Sequence, residues 1–339
     1  MTPRSALAGL ACGLTLAGCS GIQSALDPAA DQATHIQDIW TLMLWVCGVM
    51  YALVLAFLAA ALWRARRSLA APPMAEGHDS PAERPLQRAL TGWTGLVVAG
   101  LLVLTLGSFL VDRELSRVDT ADAVRIRVTG AQWWWKAEYD DPVPANRLVT
   151  ANELRLPVGR PAIVELRADD VIHSFWIPNL AGKIDLIPGR TNTLTLNPRR
   201  VGVFRGQCAE FCGLQHSQMA LDARVETPEA FEAWRRAQQA PAREPTTARQ
   251  ARGLQVFLGA ACAACHQIRG TPAGGRTGPD LTHLAGRRYL AAGALANDPG
   301  GLMAWLHDPQ AVKPGNRMPE VKLSPADLDA LVAYLGSLA

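Results

Sequence analysis

The sequence carries almost no excess of either charge: 33 Lys and Arg stand against 30 Asp and Glu, a net charge of +3. That balance builds no basic face, so no nucleic-acid partner is expected. Cysteine is scarce outside two clusters. Of the seven, four fall in two tight groups, Cys12 and Cys19 lie at the extreme N-terminus, and Cys47 sits in an apolar run. This distribution leaves no disulfide framework, and Cys47 reads as a small buried hydrophobe. Residues 20–39 contain no Lys or Arg at all. Histidine is also sparse: His35, His78, His283 and His307 stand in no partner pattern and read as surface or loop residues. At 339 residues, two or three modules are expected rather than one compact domain.

One segment is dense by contrast. Cys208-Ala-Glu-Phe-Cys212-Gly-Leu-Gln-His216-Ser-Gln-Met219 places two thiols, an imidazole and a thioether in one short stretch. Cysteines at i and i+4 in a single loop present two thiolates to the same soft metal. Thiolate, imidazole and thioether together suit a copper electron-transfer centre; zinc takes Cys and His but gains nothing from Met. One nearby imidazole leaves a two-metal site short of nitrogen, and His173, within Val171-Ile172-His173-Ser174-Phe175-Trp176, supplies another. A Cys208–Cys212 disulfide is the alternative, and it accounts for the two cysteines and nothing else.

A second cofactor pattern stands near the other end. Cys262-Ala-Ala-Cys265-His266 has the spacing of c-type haem attachment, two thioether bonds and an axial imidazole. A redox dithiol is the alternative. The surroundings favour haem: Gly278-Pro279-Asp280-Leu281 follows where cytochromes c place a loop carbonyl against the proximal imidazole, and Asn316-Arg317-Met318-Pro319 offers Met318 as the sixth ligand. Met303 competes for that role, but sits in the apolar helical pattern Leu302-Met303-Ala304-Trp305-Leu306. Ser324-Pro325-Ala326-Asp327 predicts a helix start, with Leu328, Leu331, Val332 and Leu335 at helical spacing.

The N-terminus predicts export. Arg4 precedes an apolar stretch from Ala6 to Ala17 too short to span a membrane, and Leu16-Ala17-Gly18-Cys19 resembles a lipobox, an ordinary cleavage site being the alternative. Residues 1–18 are thus expected to be a signal peptide. Residues 19–117 hold two longer apolar runs, Trp40 to Trp63 and Ala89 to Val111, each beyond the roughly 20 residues a bilayer requires. Arg64, Arg66, Arg67, Arg84 and Arg88 between them put the connection in the cytoplasm and everything after residue 112 outside it.

From Val124 to Val225 the period becomes two. Val124, Ile126 and Val128 alternate with Arg125 and Arg127, and Leu221, Ala223 and Val225 with Asp222, Arg224 and Glu226. With turns at Pro157-Val158-Gly159 and Pro188-Gly189, the pattern predicts an antiparallel sandwich or Greek-key barrel over residues 118–227. Within Gln132-Trp133-Trp134-Trp135, alternation sends Trp133 and Trp135 to one face and Trp134 to the other. Residues 228–247 begin as a helix (Pro228 to Gln239) and end as a Pro-containing linker, and residues 248–339 resemble an all-α class I cytochrome c domain.

The whole resembles subunit II of the haem–copper cytochrome c oxidases, in the form with a fused cytochrome c found in caa3-type enzymes. The resemblance implies a cupredoxin fold behind a transmembrane helix hairpin. It implies a dicopper CuA centre on His173, Cys208, Glu210 through its carbonyl, Cys212, His216 and Met219, and a magnesium or manganese ion reached by the Glu210 side chain. Trp133 becomes the point where electrons enter above the copper, and soluble cytochromes could also deliver there. Expected partners are the catalytic subunit I and subunit III, with cytochrome c or a cytochrome bc complex as donor, in the lipid of a bacterial inner membrane with both cofactor domains in the periplasm. The CuA-bearing subunit of a haem–copper nitric oxide reductase is the runner-up. The pattern departs from the family at Leu86-Gln87-Arg88-Ala89-Leu90-Thr91-Gly92-Trp93, where relatives carry a proton-pathway glutamate near the second membrane helix; Glu83 is the nearest acid.

Overall fold

The structure, a computed structural model, describes residues 20–67, 83–115 and 120–339. The expected export signal, with Cys12 and Cys19, lies outside the described residues. The chain forms two compact units, His35–Arg117 and the remainder.

The first unit is helical. Helix α1 (Asp31–Arg67) supplies most of it together with α2 (Glu83–Leu115). Both helices outrun the apolar stretches 40–63 and 89–111, because polar flanks such as Arg64 and Asp112 continue the helix where nothing breaks it. Apolar length limits the membrane crossing, whereas helix length is limited by breakers. Both are long and apolar enough to cross a bilayer, and their large side chains point outward: Trp45 is 70% exposed, Phe57 68% and Leu102 64%. Cys47, expected to be buried, is exposed on the same surface.

The second unit contains two five-stranded sheets packed face to face. One runs β3 (Leu148–Ala151), β2 (Trp134–Tyr139), β1 (Val124–Ala131), β5 (Ala162–Ala168), β8 (Asn192–Leu196). The other runs β4 (Glu153–Pro157), β10 (Ala220–Glu226), β9 (Gly202–Cys208), β6 (His173–Trp176), β7 (Ile184–Leu186). The sandwich is not wholly antiparallel as expected: β1 lies parallel to β5, and β10 parallel to β4. The chain changes sheet between these partners and returns in the same direction. Alternation holds where it was read, with Ile126, Val128, Leu221, Ala223 and Val225 inside. Asp222 is the exception, buried where the period points outward, because Arg288 of the C-terminal domain covers it at 3.1 Å. Residues at the start of the first helix close one side: Ala30 bridges Pro198, and Asp31 pairs with Arg199.

The chain then runs through helix α3 (Pro228–Gln239), as expected, N-capped by the Thr227 side chain. Residues 240–247 are not a free tether. Ala242 N–H donates to Arg269 O at 2.8 Å, and the His283 ring lies 3.1 Å from Ala240 O. His283, read as a surface or loop residue, therefore lies in a turn but is buried there.

The C-terminal domain has its own core around Phe257, Leu302, Leu331 and Tyr334. Its elements are α4 (Ala248–Gly259), α5 (Cys262–Cys265), a hairpin of β11 (Tyr289–Leu290) with β12 (Leu295–Ala296), α6 (Pro299–His307), α7 (Pro309–Val312) and α8 (Pro325–Leu335). The expected Ser324 cap is present: its Oγ accepts from Asp327 N–H. Helices α4 and α8 cross where Gly253 meets the Ala330 carbonyl so closely that no Cβ fits.

Candidate functional site

Strand pairing sets the first site. β6 and β9 run antiparallel with Phe175 opposite Cys208, which brings His173 and Cys208 to the same end of the sheet. The chain leaves β9 at Cys208, turns through Gly213 at φ +109 and a 3₁₀ turn at His216–Gln218, and re-enters β10 at Ala220. Cys208 N–H donates to Met219 O at 2.9 Å and closes the neck of this loop.

Inside it the donor atoms converge. Cys208 Sγ lies 3.7 Å from Cys212 Sγ, 3.8 Å from His173 Nδ1 and 3.2 Å from the Glu210 carbonyl oxygen. Cys212 Sγ lies 3.5 Å from His216 Nδ1 and 3.9 Å from Met219 Sδ. His173, Cys208, Cys212 and Met219 are buried and His216 is half-buried. A covalent S–S bond is about 2.0 Å, so the thiols are in contact but unbonded. Two buried sulfurs flanked by two imidazoles, a thioether and a carbonyl form a donor set that fits copper better than zinc. All six positions read from the sequence meet here. The Glu210 carboxylate accepts from Phe211 N–H at 3.2 Å, turned to its own loop backbone.

Charge within the loop is shared. The hydrogen bond from Cys212, helped by His173 and opposed by burial, holds the Cys208 thiol far below its ordinary range. The Cys212 thiol is raised, by its bond to Cys208 and by burial. A soft cation held by both sulfurs would displace the thiol protons.

Residues around the loop fix its shape. His173 Nε2 lies 3.0 Å from Asp170 Oδ1, which leaves Nδ1 facing the sulfur. Burial alone would raise the Asp170 carboxyl, but the Gln132 amide, His173 and the Val171 amide outweigh it and hold it below the usual range. Burial would likewise lower His173, yet Cys208 and Asp170 raise it. Gln132 Nε2 and Trp133 Nε1 both donate to Cys212 O, at 2.8 and 2.9 Å, and Trp135 Nε1 donates to Met219 O at 3.3 Å. Trp133 and Trp135 are buried and Trp134 is half-buried; Trp135 lies in β2, whereas Trp133 sits in the turn just before that strand, so strand alternation does not set its direction. Trp133 is only 7% exposed, and a Cβ on Gly315 of the C-terminal domain would stand 3.5 Å from its Cη2 atom. The open Trp133 surface expected for a soluble donor is therefore covered. Asp170 escaped the sequence reading; its one signal was a carboxylate three residues before His173.

The second site lies on α5, whose single turn carries the free thiols of Cys262 and Cys265. His266 follows, its Nδ1 2.7 Å from Pro279 O, as the loop at Gly278-Pro279 led one to expect. A Cβ at Gly278 would approach His266 Cε1 to 2.6 Å, so only glycine lets this loop reach the ring. Burial lowers the His266 imidazole below its usual range and keeps it neutral, the form that ligates iron. Unpaired thiols on one turn beside an oriented neutral imidazole fit covalent haem. Met318 sits half-buried in a loop braced by Gln310 Nε2, which donates to Met318 O at 2.8 Å. Met303 packs against the same core from α6.

Comparison with known proteins agrees with this division. The family described as cytochrome c oxidase subunit II, periplasmic domain, matches residues 143–225, and the cytochrome c family matches residues 250–339. The chain is 35% identical over 340 residues to cytochrome c oxidase subunit 2 of Alkalihalophilus pseudofirmus, covering 96% of this chain and 94% of that one. The corresponding protein of Bacillus sp. (strain PS3) is 32% identical over 264 residues, 73% of each. Among solved structures, the periplasmic domain of subunit II of cytochrome oxidase from Bradyrhizobium japonicum aligns at 30% identity with a TM-score of 0.32, over 34% of this chain and 93% of that one.

Proposed function

The chain belongs to the cytochrome c oxidase subunit II family, with a cytochrome c domain fused at its C-terminus, and on that premise we propose that it is the electron-input subunit of a respiratory terminal oxidase. In this reading His173, Cys208, the Glu210 carbonyl, Cys212, His216 and Met219 would hold a dicopper centre. Cys262, Cys265, His266 and Met318 hold a covalent haem c. When bound, these groups supply one-electron carriage from a cytochrome c or cytochrome bc donor towards a haem–copper subunit I that reduces oxygen, with subunit III as a further partner. The Glu210 carboxylate, on the copper loop, is assigned to magnesium or manganese at the subunit I boundary. The helices anchor the chain in a bacterial inner membrane, with both domains in the periplasm.

The chain's own residues provide rigidity and dryness. The neck hydrogen bond between Cys208 and Met219 and the indole and amide donors on Cys212 and Met219 hold the loop from both sides. A loop held in one shape reorganises little when the charge it encloses changes. Asp170 orients His173 as carboxylates orient metal-bound histidines elsewhere, and Pro279 does the same for His266.

The observation that carries this reading is the buried, unbonded Cys208–Cys212 pair flanked by His173 and His216. The test is metal and haem analysis of the chain purified with its partner subunits, followed by assays with oxygen and with nitric oxide. Two coppers, one thioether-linked haem and oxygen consumption support it. A single copper or a zinc, absence of covalent haem, or turnover with nitric oxide alone overturns it.

A further inference from the structure

A buried lysine remains that neither site uses. Lys313 is 2% exposed and lies in the segment leading to Met318, yet its Nζ donates to three carbonyls: Trp133 O at 2.7 Å, Gln218 O at 2.7 Å and Ala291 O at 2.9 Å. Two of these belong to the sandwich, Gln218 within the copper loop itself and Trp133 beside it, and one to the haem domain's own hairpin. Burial pushes the Lys313 amine down to about 7, and in its protonated form all three N–H donors are taken by these carbonyls. A buried charge is tolerated only when it is so satisfied, which makes this contact demanding of both domains at once.

The surrounding contacts converge on the same edge. Gln215 Nε2 donates to Pro314 O at 2.9 Å, and Ala220 N–H to Ala292 O at 2.9 Å. Arg317, beside Met318, reaches Asp170 Oδ2 at 3.3 Å, the carboxylate that orients His173. Ala291 and Ala292 take φ of +50 and +59 to point their carbonyls at this edge, a conformation that costs an ordinary side chain energy. Gly315 meanwhile lies on the Trp133 ring.

We propose that Lys313 is a positioning residue that locks the haem-attachment domain onto the thiolate loop and thereby closes the Trp133 face to soluble donor proteins. The C-terminal domain is then a fixed part of the electron-input unit rather than a tethered shuttle. A soluble one-electron donor must deliver to that domain. The claim about donors rests on the reading under Proposed function; the claim about docking does not.

The test is Lys313→Met in the full chain assembled with its partner subunits. Amide hydrogen exchange over residues 130–135, 216–220 and 290–293 reads the docking without reference to either cofactor. Flash reduction of the haem reads the passage of the electron to copper. Exchange in all three segments should rise at least tenfold and the internal electron transfer should slow at least tenfold, while the spectra and potentials of both centres stay put. Unchanged exchange overturns the latch, and so does faster exchange with transfer at the parent rate. Should Lys313→Met fail to fold, Gln215→Leu, which loosens the same edge while keeping the ammonium, should raise exchange in the first two segments; no change there overturns the proposal. If the parent chain itself passes no electron from haem to copper, the donor claim falls with the functional reading, and exchange still decides the docking.

Discussion

Cys208 Sγ and Cys212 Sγ, both buried, stand 3.7 Å apart, in contact but too far apart to share a bond. In the reading proposed above, that spacing would let both sulfurs serve one copper centre. Replacing either with serine should abolish copper loading altogether rather than weaken it. Met219→Leu should leave copper bound and shift its spectrum and potential, because an axial thioether is a weak ligand. Elemental analysis with optical spectroscopy checks both; retention of the full copper load in Cys208→Ser contradicts the bridging role.

Asp170→Ala should lower copper affinity by about 10- to 100-fold, the usual effect of removing the partner of a metal-bound histidine. Asp170→Asn, which keeps a hydrogen-bond acceptor for His173, should fall between. Competition against a copper chelator measures it, and wild-type affinity in Asp170→Ala would show that His173 needs no orientation.

In the haem domain, Met318→Ala should leave the haem covalently attached but open its sixth position, lowering the potential and admitting carbon monoxide. Met303→Ala should do neither. Cys262→Ala combined with Cys265→Ala should prevent attachment. Carbon monoxide binding that follows Met303 rather than Met318 would reassign the ligand.

Packing gives a stability prediction. A methyl at Gly253 would press into the Ala330 carbonyl at the α4–α8 crossing, so Gly253→Ala should destabilise the domain by about 1–3 kcal/mol, the common cost of overpacking. Thermal unfolding followed through the haem band reads it.

Charge at the same helix pair gives a pH dependence. The Ser324 hydroxyl, and then Arg252, hold the Asp327 carboxyl below its ordinary 3.8. A depressed carboxylate stabilises fully above that ordinary value and loses its contribution as pH falls through the folded one. The difference in melting temperature between the parent and Asp327→Asn should therefore be constant at neutral pH and shrink below about pH 4. A difference that grows on acidification contradicts it.

Much of the chemistry was legible because it is local. The six copper positions fall in one loop and one upstream strand, and Cys262, Cys265 and His266 are contiguous. Strand alternation placed Ile126 and Val128, and Leu221, Ala223 and Val225, inside because side-chain direction follows the backbone period. What escaped depends on distant pairing. Nothing near Lys313 announces that Trp133, Gln218 and Ala291 will converge on its amine. Asp222 reads as an outward residue until Arg288 of another domain covers it. The parallel pairings of β1 with β5 and of β4 with β10 follow from the chain changing sheets, which residue periodicity does not record. The helix ends escaped for a different reason: apolar runs mark the membrane, whereas α1 and α2 continue into polar sequence.

The most direct test of the central claim is stopped-flow reduction of the intact oxidase by its cytochrome donor, following the haem and copper absorbances separately. The account predicts that haem c is reduced first and copper second, and that the second phase alone disappears in Cys208→Ser or Cys212→Ser. Copper that is reduced before the haem, or at an unchanged rate when Cys262→Ala and Cys265→Ala remove it, would contradict the account.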